Sequence, residues 1–89
     1  MAPRISAIIV SYNTAPLLAR AIASLRMSAS MIDGVEIIVV DNASHDGSAR
    51  LVRDQFPDVR LFELGKNVGF AAGTNLGLRA AHGDRKSTV

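Results

Sequence analysis

Three short apolar segments recur along the chain, and each predicts a β-strand. They span residues 5–10, 35–40 and 59–64, and all three are rich in branched side chains. The second segment ends in four consecutive branched residues, 37–40, and lacks the apolar and polar alternation of a half-exposed strand. Such a run is typical of a strand that is covered on both faces, as in a parallel sheet.

Helical periodicity separates the three predicted strands. Leu18, Ile22 and Leu25 follow the i, i+4, i+7 spacing of an amphipathic helix. A second helix is predicted over about residues 47–56, before a proline, and a third over about residues 70–81. This alternation predicts an α/β fold, a three-stranded parallel Rossmann-like half-sheet in the order 3-2-1 with flanking helices.

Gly73 and Gly77 lie one turn apart in the third predicted helix. Each lowers the stability of a helix by about 1 kcal/mol relative to alanine, so a glycine pair in a helix needs a structural reason. We expect a close approach to the sheet or to a ligand on that side of the helix.

Composition and charge narrow the class of protein. The 89 residues are 48% hydrophobic, which is typical of one globular domain. Ten Lys and Arg residues are interleaved with eight carboxylates, so no nucleic-acid partner is predicted. The absence of cysteine excludes disulfides and thiolate catalysis. The apolar run at residues 5–10 is too short for a signal peptide or a transmembrane segment, and a cytoplasmic location is expected.

Polar segments follow all three predicted strands, at residues 11–14, 41–47 and 65–75. Open α/β sheets bind their ligands at the carboxyl ends of the strands. The candidate site therefore lies where these three segments meet.

Asp41 is the strongest candidate, because a carboxylate at the end of a buried strand is costly to desolvate without hydrogen-bond donors. A ligand N–H or a ribose hydroxyl would supply a donor, and so would the backbone amides of the following turn. Tyr12 either stacks on a planar base or packs with its hydroxyl in water. Asn67, Gly69 and Gly73 either admit a ligand or form a turn and a tight helix-sheet contact.

Several sharper motifs are missing. The glycines at 65, 69 and 73 do not have the spacing of a dinucleotide-binding fingerprint, and no phosphate-binding loop is present. His45 and His82 have no second ligand at metal spacing, and both are interpreted as solvated loop histidines. No catalytic residue and no metal ligand are predicted in this chain.

Taken together, the three polar segments resemble the start of family 2 glycosyltransferases of the GT-A fold, in particular the rhamnosyltransferase-like ones. The matching stretches are IIVSYN at 8–13, IVVDNAS at 38–44 followed by DGS at 46–48, and NVGFAAGTN at 67–75. The resemblance covers about residues 5–83. It implies an enzyme that transfers a sugar from a nucleoside-diphosphate sugar to an acceptor, and it implies these substrate-binding residues: Ser11, Tyr12, Asn13, Asp41, Asn42, Asn67, Gly69, Gly73 and Asn75.

The same resemblance implies a role for each segment. Residues 11–13 would lie along the nucleoside, Asp41 would recognise a pyrimidine base, and residues 67–75 would border the base and ribose. After the position of Gly83, the family continues into a buried fourth strand that ends in an acidic motif holding Mg²⁺ or Mn²⁺.

This chain departs from the family after Gly83, where residues 84–89 are polar and carry no paired carboxylates. We therefore expect a partial nucleotide-binding domain over residues 1–83 and a truncated polar tail over 84–89. The metal ligands would be absent, and the chain alone would be inactive. The exposed edge of the first strand is expected to invite self-association. The alternative function is a non-catalytic α/β module that binds a nucleotide or a partner.

Overall fold

The computed structural model describes residues 5–29, 34–83 and 85–88. Its elements are, in chain order, β1 (Ile5–Ser11), α1 (Ala15–Ala29), β2 (Val35–Asp41), α2 (Ser48–Gln55), β3 (Arg60–Glu63), α3 (Phe70–Ala80) and β4 (Arg85–Thr88). All strand pairs are parallel, and the sheet order is β3-β2-β1-β4. The predicted α/β alternation and the 3-2-1 order are confirmed.

The predicted number of strands was wrong, because residues 85–88 form a fourth strand. β4 pairs with β1 from Ile5↔Arg85 to Ile8↔Thr88. All four β4 side chains are exposed, so the segment has no apolar pattern to reveal a strand, and only its backbone pairing defines it. Over these residues the predicted polar tail is an edge strand that covers part of the β1 edge expected to be free. Residues 84 and 89 of that tail lie outside the described residues.

Two apolar layers cover the opposite faces of the sheet. On one face, β-strand side chains such as Ile9 and Val39 pack with α1 and α2. On the other face, Ile8, Ile38 and Val40 pack with the carboxyl half of α3. Successive strand residues point to opposite faces, so the unbroken apolar run of β2 is buried on both sides, as predicted.

The two glycines of α3 allow this helix to approach the sheet. A Cβ added at Gly77 would lie 2.5 Å from Cγ2 of Ile8, and one at Gly73 would lie 3.0 Å from Cγ1 of Val10. The expected close approach is therefore an approach to β1. Gly73 is also near the carboxyl end of β2, because its Cβ would lie 3.7 Å from Nδ2 of Asn42.

A hydrogen-bonded cluster around Glu36 closes the amino end of the sheet. Oε1 of Glu36 accepts hydrogen bonds from Oγ of Ser6 at 2.7 Å and from the backbone N–H of His82 at 2.8 Å. Oε2 accepts from Nη1 of Arg60 at 2.9 Å. The Ser6 hydroxyl oxygen also accepts from the Gly83 N–H at 2.8 Å. These contacts join β1, β2, β3 and the connection from α3 to β4.

Candidate functional site at the carboxyl edge of the sheet

The strand register brings the three polar segments together. Ser11 pairs with Asp41, and Asp41 pairs with Glu63, so β1, β2 and β3 end side by side. Backbone hydrogen bonds continue past the strand ends, from Asn42 N–H to Ser11 O at 2.8 Å and from Leu64 N–H to Asp41 O at 2.9 Å. We call this region the carboxyl edge.

Asp41 is at the centre of the carboxyl edge and is only 2% exposed. Its Oδ2 accepts a hydrogen bond from the Ser44 N–H at 3.2 Å. Its Oδ1 is buried and has no hydrogen-bond partner within the described part of the chain. The turn amide expected as one possible donor is thus present, but it satisfies only one carboxylate oxygen. A buried oxygen without a donor is unfavourable, and a ligand N–H can satisfy it.

Asn42 joins the end of β2 to the loop between β3 and α3. Its side-chain Nδ2 donates to Gly69 O at 3.0 Å, and its Oδ1 accepts from the Val68 N–H at 2.9 Å. Oδ1 of Asn67 accepts from the Gly69 N–H at 2.8 Å. Gly69 has a φ of 86°, which lies in the left-handed region that glycine adopts without strain. The side chains of Asn42 and Asn67 thus shape this loop through contacts within the protein.

The loop after β1 is bound to the loop after β2. Asn13 donates its backbone N–H to Oγ of Ser44 at 2.8 Å, and its Oδ1 accepts from the His45 N–H at 2.7 Å. The Ala15 N–H donates to Oδ2 of Asp46 at 3.0 Å. We call these three hydrogen bonds the interloop network. The sequence indicated that the two loops meet, but the hydrogen bonds of this network were not predicted from it.

Asp46 also accepts hydrogen bonds at its other carboxylate oxygen. Its Oδ1 accepts from the Ser48 N–H at 3.1 Å and from the Ser48 hydroxyl. The Ser48 hydroxyl and then the Ala15 N–H hold the pKa of the Asp46 carboxyl below its ordinary value. The amino end of α1 thus receives a protein carboxylate.

The remaining predicted residues occupy different places. Ser11 is buried, with its Oγ 3.0 Å from Oγ1 of Thr14. Tyr12 follows it and is 47% exposed. Gly73 faces β1, as described above. Asn75 lines a groove of about 670 Å³ between α3 and the β3 side of the sheet, with Phe62 and Leu76 among its neighbours.

Thr74 was not among the site residues predicted from the sequence. Its Oγ1 is buried without a hydrogen-bond partner among the residues described. Its only signal in the sequence is its position beside Gly73, in the segment at 67–75 that carries the resemblance.

The residues that the structure describes do not fit a divalent metal site. No group of three or more His, Cys, Asp or Glu side chains comes together in residues 5–29, 34–83 and 85–88. Asp41 offers a single unpartnered oxygen, which is one ligand where Mg²⁺ needs an octahedral set. No chemical step is therefore assigned to a metal on this chain. In the same ranges, no helix is long and apolar enough to cross a membrane.

The fold and the site define a parallel α/β domain whose polar loops lie at the edge where open sheets bind their ligands. Residues 6–88 match the sequence model of the family described as Glycosyl transferase family 2. The chain belongs to this family, and its parallel sheet with flanking helices is similar to those of GT-A glycosyltransferases.

This chain is similar to two curated relatives and to one solved structure. An N-acetylglucosaminyl-diphospho-decaprenol L-rhamnosyltransferase from Mycobacterium tuberculosis is 33% identical over 66 residues, which are 74% of this chain and 21% of the relative. The succinoglycan biosynthesis protein ExoO from Rhizobium meliloti is 36% identical over 83 residues, or 91% of this chain and 23% of that protein. The chain therefore spans less than a quarter of either relative.

The solved structure is a mannosyltransferase from Pyrobaculum calidifontis in complex with GDP-Man and Mn²⁺. It is 32% identical to this chain, with a TM-score of 0.73, and the match covers 91% of this chain and 25% of that one. A common fold therefore accompanies the family membership.

Proposed function

We propose that this chain is the nucleotide-binding part of a glycosyltransferase and holds a nucleoside-diphosphate sugar at the carboxyl edge. The observation that carries this proposal is the buried Oδ1 of Asp41, which has no donor in the described part of the chain. Family membership supports the ligand class, and so does the mannosyltransferase relative bound to GDP-Man.

The proposed role of Asp41 is to accept a hydrogen bond from an N–H of the base. In uridine and thymidine nucleotides the base keeps one ring N–H, which lies between two carbonyls, so a carboxylate oxygen complements the centre of that edge of the base. Ser44 holds the other carboxylate oxygen and thus fixes the direction in which Oδ1 points. A charged acceptor in a site shielded from water makes a stronger hydrogen bond than a neutral one.

Tyr12 is proposed to stack on the same base. It directly follows Ser11, which pairs with Asp41 in the sheet, and it is 47% exposed. An accessible aromatic ring can cover the face of a planar base. Asn67, Gly69, Gly73 and Asn75 are proposed to border the base and ribose through the β3–α3 loop and the start of α3.

Sugar transfer is proposed for the whole enzyme. The reaction breaks the bond from the sugar to the diphosphate and joins the sugar to an acceptor oxygen that loses its proton. The residues described here bind and orient the nucleotide, and neither a general base nor a metal site is assigned among them.

The test is the Asp41→Asn variant, because asparagine can keep an oxygen for the Ser44 N–H while placing an NH₂ group where Oδ1 was. We expect the affinity for uridine or thymidine diphosphate to fall by about 1.5–3 kcal/mol, the typical worth of a hydrogen bond to a charged group. Titration of the 89-residue chain followed by NMR measures dissociation constants in the millimolar range as well as tighter ones. Guanosine diphosphate is a third probe, since its base also offers N–H donors.

Asp54→Ala is the matched control, because Asp54 is an exposed carboxylate in the last turn of α2, with its side chain 66% exposed. It should leave nucleotide affinity unchanged. An Asp41→Asn variant with unchanged affinity per folded molecule and a lowered melting temperature would contradict the proposal. Asp41 would then only hold the turn that follows β2.

A further inference from the structure

Asn13 has a backbone conformation that most residues avoid. Its φ is 51°, and Ala43 in the neighbouring loop has a φ of 65°. Residues other than glycine rarely occupy this left-handed region, although asparagine tolerates it better than most. Such conformations persist where the surrounding contacts hold them, and they are common at binding sites.

The backbone N–H and the side-chain oxygen of Asn13 both belong to the interloop network. The N–H donates to Ser44, and the side-chain oxygen accepts from the His45 N–H. Asp46 adds the third hydrogen bond, at the Ala15 N–H, and is itself oriented by Ser48. The segment after Tyr12 is thus held at two points by the loop that follows β2.

Ser44 connects the interloop network to the proposed base-binding carboxylate. Ser44 accepts from the Asn13 N–H through its hydroxyl and donates its own N–H to Oδ2 of Asp41. Ser44 therefore links the loop that carries Tyr12 to Asp41. A displacement of the first loop changes the contacts that orient the carboxylate.

We propose that Asn13 and Asp46 are positioning residues that fix Tyr12 relative to Asp41 before the nucleotide binds. This inference rests on the proposed function and reassigns Asn13 from a residue that contacts substrate to one that acts through its neighbours. Its oxygen is engaged within the protein, so its effect on affinity comes from preorganisation. A site that is already ordered loses less conformational entropy on binding.

The principal test compares Asn13→Gly with Asn13→Asp in the 89-residue chain. Glycine adopts the left-handed conformation freely but lacks the acceptor for His45, whereas aspartate retains that acceptor. We expect Asn13→Gly to weaken uridine diphosphate binding by about three- to tenfold. This is the size of effect expected when one or two residues must be ordered as the nucleotide binds. Backbone amide order parameters of residues 12–15 should fall in the free variant and recover on saturation with the nucleotide. Asn13→Asp should bind within about twofold of the unchanged chain.

Asn13→Asp adds a negative charge that repels the diphosphate, and this repulsion has to be screened by salt. Titrations are therefore run in about 0.5 M NaCl, where the screening length is about 4 Å. Asp46→Ala should reproduce the Asn13→Gly result, because it removes the second attachment of the same loop. Gln55→Gly, at the exposed end of α2, is the control for an added glycine and should leave the affinity unchanged.

The outcomes separate this inference from the proposed function. If Asn13→Gly loosens residues 12–15 but leaves affinity unchanged, the positioning role is wrong. If affinity falls while the free loop stays ordered, or if Asn13→Asp binds as weakly as Asn13→Gly, Asn13 contacts the ligand directly and the inference is also wrong. In each case a large effect of Asp41→Asn preserves the proposed function, which fails only if that variant binds normally.

Discussion

The two ends of β2 carry two largely buried carboxylates that are satisfied in different ways. Glu36, near the amino end, accepts three hydrogen bonds, with at least one at each oxygen. Asp41, at the carboxyl end, accepts one from a turn amide, and its Oδ1 has no partner in the residues described. The protein itself supplies hydrogen-bond donors to both oxygens of Glu36. Asp41 retains an acceptor oxygen to which a ligand can donate. This difference separates a structural carboxylate from a binding one within a single strand.

The pKa of Glu36 reflects these contacts. Burial raises the pKa of its carboxyl group, but hydrogen bonds from the His82 N–H, the Ser6 hydroxyl and the Arg60 guanidinium lower it further than burial raises it. The positive charge of Arg60 acts in the same direction. The charged form is therefore favoured in the folded protein, as a stabilising contact requires.

The largest expected effect comes from removing Glu36. Glu36→Ala leaves Arg60 and two other donors without their acceptor, and we expect it to lower the free energy of unfolding by about 2–4 kcal/mol. Urea unfolding followed by circular dichroism measures this change. The affinity of the folded fraction for uridine diphosphate should not change. A stability loss no larger than that of Asp41→Asn would remove the distinction between the two ends of β2.

The next largest expected effect is a change in how stability depends on pH when Glu36 is replaced by glutamine. The lowered pKa of Glu36 means that its contribution is fully present above the unfolded-state value of about 4.3 and is lost as the pH falls through the folded-state value. Glu36→Gln cannot ionise, so its stability should fall less steeply below about pH 4.3. Thermal melts of both proteins over this acidic range provide the measurement. Parallel pH profiles would show that another carboxylate dominates acid unfolding.

The smallest expected effect is that of Asp41→Asn on stability. The substitution removes a buried carboxylate that has an unpartnered oxygen, and it keeps an acceptor for the Ser44 N–H. The free energy of unfolding should therefore change by less than about 1 kcal/mol. The same melts that are used for the Glu36 variants measure it. A loss as large as that of Glu36→Ala would mean that Asp41 also has a structural role.

Much of the fold was predictable because branched residues and helical periodicity are local signals. The three apolar segments became β1, β2 and β3, and the glycine pair of α3 correctly indicated a close approach. β4 was missed because its side chains are all exposed and only pairing with β1 makes it a strand. Its position also depends on Gly83, where a Cβ would lie 2.6 Å from Oγ of Ser6, a contact between distant parts of the chain.

The candidate site also combines features that the sequence predicts with features that only the tertiary structure decides. The sequence alone determined that polar residues follow each strand and that Asp41 ends a buried one, because strand patterns and turn residues are encoded by neighbouring positions. The tertiary structure decided which of these residues have partners. It connects Asn13 to Ser44 and His45, and Asn42 to Val68 and Gly69, and it leaves Oδ1 of Asp41 without a donor in the described chain. Hydrogen bonding between residues far apart in the chain depends on how the loops pack at one edge of the sheet, and no local pattern specifies that packing.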